Sequence, residues 1–96
     1  MAWTAPSLPS EIEAEFKRVL GRRIVELTET PGAQPGYVLR LREKAGYYAS
    51  LDTGQVQQGL HMFDTRLALV AFEVLDDTDA RVEFTLEADD ARNDDA

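Results

Sequence analysis

The sequence predicts an α+β fold: an antiparallel four- to five-stranded sheet with two helices, in the order α-β-β-β-(β)-α-β. Three observations carry that expectation. Residues 10–20 repeat apolar side chains at helical spacing between clear start and stop signals. Residues 37–43 and 81–87 alternate apolar with polar side chains, as half-buried strands do. Most connections between the predicted strands are too short for a crossover, so neighbours must run antiparallel. Ninety-six residues, 44% of them hydrophobic, fit one domain. That domain is expected over residues 1–87, with an extended leader over 1–9 and a disordered acidic tail over 88–96.

The leader carries two prolines, and Trp3 is its residue with the most apolar area to bury. Ser10 and Glu13 form a capping-box pattern, Gly21 is the stop, and Ile12, Phe16, Val19 and Leu20 make one apolar face. Glu11, Glu13 and Glu15 precede Lys17 and Arg18, the order that suits the helix dipole. Strands are predicted over 22–28, 37–43 and 47–51. They are separated by a Pro-Gly-rich loop and by the Lys44-Ala45-Gly46 turn, and together form a meander. In the second strand Tyr37, Leu39 and Leu41 share one face, and Val38, Arg40 and Arg42 the other.

Residues 55–62 are ambiguous and allow a fourth short strand. Residues 67–75 are predicted as the second helix, because Leu67, Val70, Ala71, Val74 and Leu75 fit the i, i+3, i+4, i+7, i+8 template, with Asp64 as N-cap and Phe63 as staple. A buried strand is the competing reading there. The last strand is 81–87, with Glu83, Thr85 and Glu87 on its wet side. Residues 88–96 are almost all Asp, Ala, Asn and Arg, too polar to order themselves.

The formal net charge is −8 and is unevenly spread. Residues 1–50 hold seven Lys/Arg and six Asp/Glu; residues 51–96 hold three Arg and twelve Asp/Glu. Such a chain is repelled by phosphate backbones and anionic lipid heads, so neither nucleic acid nor membrane is expected as a partner. Cysteine is absent, which excludes disulfides and thiolate metal sites. No signal sequence and no membrane-length apolar run is seen, and a cytoplasmic location is the default expectation.

Leu51-Asp52-Thr53-Gly54 resembles the catalytic loop of retroviral-type aspartic proteases. That resemblance implies a homodimer in which each Asp52 supplies half of a proton-sharing carboxylate pair. It stops at those residues. Where the family has two large apolar residues followed by glycine, this chain has Val74-Leu75-Asp76. The same triplet also reads as an ordinary hairpin turn.

His61 is the only histidine and has no serine elbow or second nitrogen ligand to work with. Asp76-Asp77-Thr78-Asp79 lacks the glycine of a calcium loop at the required offset and reads as a solvated turn between a helix and a strand. No catalytic set, metal site or cofactor is expected.

A non-catalytic protein-interaction module, possible as a homodimer, is therefore the leading expectation, with Arg22, Arg23, Arg40, Arg42 and Tyr48 as candidate binding residues. The dimer is expected through the uncovered sheet face, where Val38 and Tyr48 add apolar area beside Arg40 and Arg42. A second reading is an acidic inhibitor or immunity-type protein covering a basic site on a nuclease or toxin. A third is a dimeric aspartic protease-like enzyme using Asp52.

Overall fold

Residues 2–30 and 36–87 are described by the computed structural model. The first helix, α1 (Ser10–Leu20), turns Ile12 and Phe16 fully inward and leaves Val19 exposed, so the buried stripe is narrower than the sequence pattern implies. Its start also differs. Pro9 is the cap, and its carbonyl accepts from the amides of Ile12 and Glu13, both at 3.0 Å. Ser10 is already helical and makes no side-chain cap, because the extended backbone of Pro9 starts the helix one residue earlier. Gly21 ends the helix at φ 51°, a conformation that favours glycine.

The sheet has five strands in the order β1-β2-β3-β5-β4, where β1 is Ala2–Thr4, β2 Ile24–Thr30, β3 Gly36–Arg42, β4 Leu67–Val74 and β5 Asp79–Leu86. It is antiparallel apart from the parallel β1–β2 pair, which sets Trp3 beside Leu27. The α+β class, the two helices and the mainly antiparallel sheet agree with the sequence reading. The leader contributes the extra edge strand rather than lying passively on the surface. It is fastened by buried Ala5 and Leu8 and by Ser7, whose amide and hydroxyl donate to the Glu29 carboxylate at 3.1 and 2.7 Å.

Between β3 and β4 the elements differ from expectation. Residues 47–51 are not a strand. Gly46 takes φ 82°, and Tyr48–Ser50 forms a 3-10 turn; the neighbour of β3 in the sheet is β5. The second helix, α2, spans Thr53–Phe63, over the stretch left ambiguous. Asp52 caps it: Asp52 Oδ1 accepts from the Gln55 amide, and Gln55 Oε1 accepts from the Asp52 amide, both at 2.9 Å. Asp52-Thr53-Gly54 is thus a helix start and not a hairpin turn.

The segment predicted as the second helix, 67–75, is the strand β4. Its register slips between Leu69 and Ala71, which leaves Val70 as an extra residue. Leu67 and Leu69 pair with Leu86 and Phe84 before the slip, and Phe72 and Val74 pair with Val82 and Ala80 after it. A bulge that breaks strict alternation in this way yields a sequence pattern close to the helical one. Asp64 closes α2 and pairs with Arg66 at 2.8 Å instead of opening a helix.

Both helices pack on one sheet face. Phe16 meets Phe63 at 4.7 Å and Phe84 at 5.8 Å between ring centroids, and Leu27, Tyr37, Leu39, Val82 and Phe84 form the floor. The tail 88–96 and the loop 31–35 lie outside the described residues. No helix among the described residues is long and apolar enough to cross a membrane.

Candidate functional site

The alternation of β3 and β5 sends Val38, Arg40, Arg42, Asp79, Arg81 and Glu83 to the sheet face that carries no helix. Register places Arg42 opposite Asp79 and Arg40 opposite Arg81, with Glu26 of β2 on the other side of Arg40. Asp79 gathers both predicted arginines. Arg42 donates through Nε at 2.8 Å and Nη2 at 3.0 Å, and Arg40 through Nη2 at 3.1 Å. The Thr78 hydroxyl adds a bond at 2.8 Å.

Although it stands on an open face, the Asp79 side chain is only 2% exposed, because the two guanidinium groups roof it. Bonding by Arg42, Thr78 and Arg40 outweighs burial and holds its carboxyl well below the usual carboxylate range. Arg81 pairs with Glu83 at 3.3 Å on the same face. The arginines expected to greet a partner are therefore largely engaged within the fold, with Arg40 Nε buried and lacking a hydrogen-bond partner.

Tyr48 lies on the opposite side of the sheet. It is buried against the core, and burial pushes its hydroxyl up to about 12. It adds no apolar area beside Arg40 and Arg42, contrary to expectation, because residues 47–51 leave the sheet. Tyr37 is likewise internal, stacked on Phe84 at 5.4 Å. Arg22 and Arg23 occupy the 3-10 turn Gly21–Arg23 after α1; Arg22 is exposed, and Arg23 pairs with Glu43 at 3.4 Å. The five candidate residues fall into two separate groups: Arg40 and Arg42 on the open face, and Arg22, Arg23 and Tyr48 toward the helices.

His61 is exposed in the last turn of α2. Asp76 organises the β4–β5 turn, accepting from the amides of Thr78 and Asp79 at 2.9 Å each; the turn joins two strands rather than a helix and a strand. Among the described residues no group of His, Cys, Asp and Glu is arranged to hold a metal ion.

Two further features carry little sequence signal. A cavity of about 230 Å³ opens between α2, the 3-10 turns and the sheet. The outer edge of β4 is the other. Gln57 of α2 covers its first half, donating from Nε2 to the Leu67 carbonyl at 3.3 Å and accepting the Leu69 amide at 2.9 Å. Beyond that point no strand among the described residues pairs with β4 on this side. The Leu75 amide bonds Asp79 across the hairpin at 2.9 Å, so by alternation the backbone groups of Phe72 and Val74 face outward. Val70, Val74 and Leu75 are 55%, 40% and 39% exposed along the same edge. An apolar run flanked by a covering glutamine is the only hint the sequence contains.

Comparison with known protein families, characterised proteins and solved structures finds nothing that matches this chain.

Proposed function

We propose that the chain is a non-catalytic protein-interaction module that self-associates by pairing the second half of the β4 edge with a second copy. The observation that carries this reading is the outward-facing backbone of Phe72 and Val74 beside three exposed apolar side chains. Strand edges of this kind template pairing, and proteins that keep them single usually place charges or proline there. Here the strand is LALVAFEV, with Glu73 as its one charge. A second copy is the simplest complement, because a two-fold axis lets one edge serve both partners and joins two five-stranded sheets into one. Edge pairing also keeps the bulk of two acidic chains apart.

Two observations favour this reading over the others. Described acidic residues of the second half are mostly used internally: Asp79 by Arg40 and Arg42, Asp64 by Arg66, Glu83 by Arg81, and Asp52 and Asp76 by backbone amides. On the open face Asp79 and Glu83 are already paired with arginines, which gives an inhibitor of basic sites little to present. Asp52 has a structural task as a helix cap, which weakens the protease reading.

Light scattering with size exclusion tests the proposal. A mass of twice 10.7 kDa is expected at high concentration, falling to one chain on dilution. Val74→Lys should give one chain throughout and melt like the diluted, single-chain parent, whereas Val38→Lys on the open face should leave the dimer intact. A single chain at every concentration, or a dimer indifferent to Val74→Lys, overturns it.

A further inference from the structure

We propose that the two-fold axis of the β4 pairing passes through Glu73, so that the Glu73 carboxylates of the two copies oppose each other and keep the dimer weak and reversible. This rests on the edge-pairing reading above and adds its register and the residue that limits its strength.

Alternation leaves few registers. The Leu75 amide bonds the Asp79 carbonyl, and Glu73 and Ala71 stand opposite Arg81 and Glu83. Residues 71, 73 and 75 therefore bond inward to β5, and Phe72 and Val74 bond outward. If these two residues supply the pairing, the axis lies at 72, 73 or 74. An axis at Val74 sets Phe72 against Asp76, whose amide is already bonded to the Asp79 carbonyl at 3.3 Å. An axis at Phe72 sets Val74 against Val70, where the bulge breaks the ladder. An axis at Glu73 sets Phe72 against Val74 of the second copy, and the reverse. Both outward residues of both copies then exchange amide and carbonyl bonds, and the ladder stops short of the bulge and the turn.

The side chains fit the same register. Phe72 meets Val74 of the second copy on the helix side, and Ala71 meets Leu75 on the open face. Val74 and Leu75, 40% and 39% exposed in the single chain, gain apolar neighbours. Glu73 is the exception. It occupies the central site without hydrogen bonds, where Cα atoms approach to about 4.5 Å. It is exposed, and Arg81 opposite it on β5 is taken by Glu83 at 3.3 Å. Like charges directly opposite one another oppose strand pairing.

The chain has no cysteine, so disulfide trapping reads the register. Full-length Glu73→Cys, Ala71→Cys and Val74→Cys chains are oxidised in one glutathione buffer, at a concentration where light scattering finds the reduced chains paired. Glu73→Cys should crosslink readily, because about 4.5 Å lies within the roughly 4.4–6.8 Å that a disulfide spans between Cα atoms. Ala71→Cys should stay uncrosslinked, its two copies lying roughly 13 Å apart along the strands, and Val74→Cys should react far more slowly than Glu73→Cys. Glu73→Gln should lower the dimer Kd about two- to five-fold. Glu26→Gln on β2, the same change in net charge away from β4, should lower it less. A paired chain in which Ala71→Cys or Val74→Cys crosslinks as readily as Glu73→Cys, or in which Glu73→Gln leaves Kd unchanged, overturns this register and leaves edge pairing standing. A single chain at every concentration overturns edge pairing itself, and the register with it.

Discussion

Replacing Asp52 separates its role as a helix cap from any other use of the carboxylate. Two reciprocal bonds of 2.9 Å join Asp52 and Gln55 at the start of α2. Removing such a cap costs about 1 kcal/mol, within a range of roughly 0.5–2. For a domain near this size each kcal/mol lowers Tm by about 4–8 °C. Asp52→Ala should therefore melt several degrees lower. Asparagine retains the acceptor oxygen and caps as well as aspartate, and differs only by the charge at the helix N-terminus. Salt screens that charge, so in ~0.5 M salt Asp52→Asn should melt within about 2 °C of the parent. Thermal circular dichroism of the three proteins in one buffer is the assay. The capping account fails if asparagine is as damaging as alanine, or if neither substitution changes Tm.

Three other outcomes follow from the core and from the titrating groups. Phe16 is wholly buried between Phe63 and Phe84, so Phe16→Ala should cost about 3–5 kcal/mol in urea unfolding. Asp79 has a folded-state pKa depressed by Arg42 first and then by Thr78 and Arg40, so its stabilisation is present above the unfolded value of about 3.9 and is lost as pH falls below it toward the folded value. Asp79→Asn should flatten that acid limb in pH-dependent melts. Tyr48, pushed up to about 12 by burial, stabilises fully below the unfolded value of about 10 and progressively less as pH rises past it, so Tyr48→Phe should remove a component that ionises above the usual tyrosine range from the ultraviolet titration.

The parts of this fold legible in the sequence are those whose local pattern and tertiary role coincide. The alternation at residues 37–43 and 81–87 survives because both strands are central and wet on one side. Helix α1 survives because its ends are marked by Pro9 and Gly21. Local pattern misleads where one rule imitates another. In β4 the bulge at Val70 shifts the inward phase and mimics a helix. In α2 the glycines at 54 and 59 dilute the helical signal, while the Asp52–Gln55 box that starts it sits inside a triplet that also reads as a turn.

For the candidate site, the shared face of Arg40 and Arg42 follows from strand periodicity alone. Their joint capture by Asp79 depends on the β3–β5 pairing, which no local pattern encodes. The position of Tyr48 escapes local pattern for the same reason. Its face depends on whether the chain turns out of the sheet after Glu43, and that is fixed by long-range bonds from Glu43 and Gly46 to Thr78 and Asp77. The cavity is a property of packing, lined from α1, α2, the 3-10 turns and the sheet together, and no local pattern encodes it.

Amide hydrogen exchange at Phe72 and Val74 addresses self-association through β4 most directly, because these two amides face away from β5 and meet no partner strand among the described residues. Exchange should be measured on the full chain at a high and a low concentration, with the Leu75 amide, already bonded to Asp79, as the internal reference. The account predicts that Phe72 and Val74 are protected at high concentration and exchange rapidly on dilution, while Leu75 changes little. Rapid exchange at both amides while the chain runs at dimer mass, or rates independent of concentration, would contradict it.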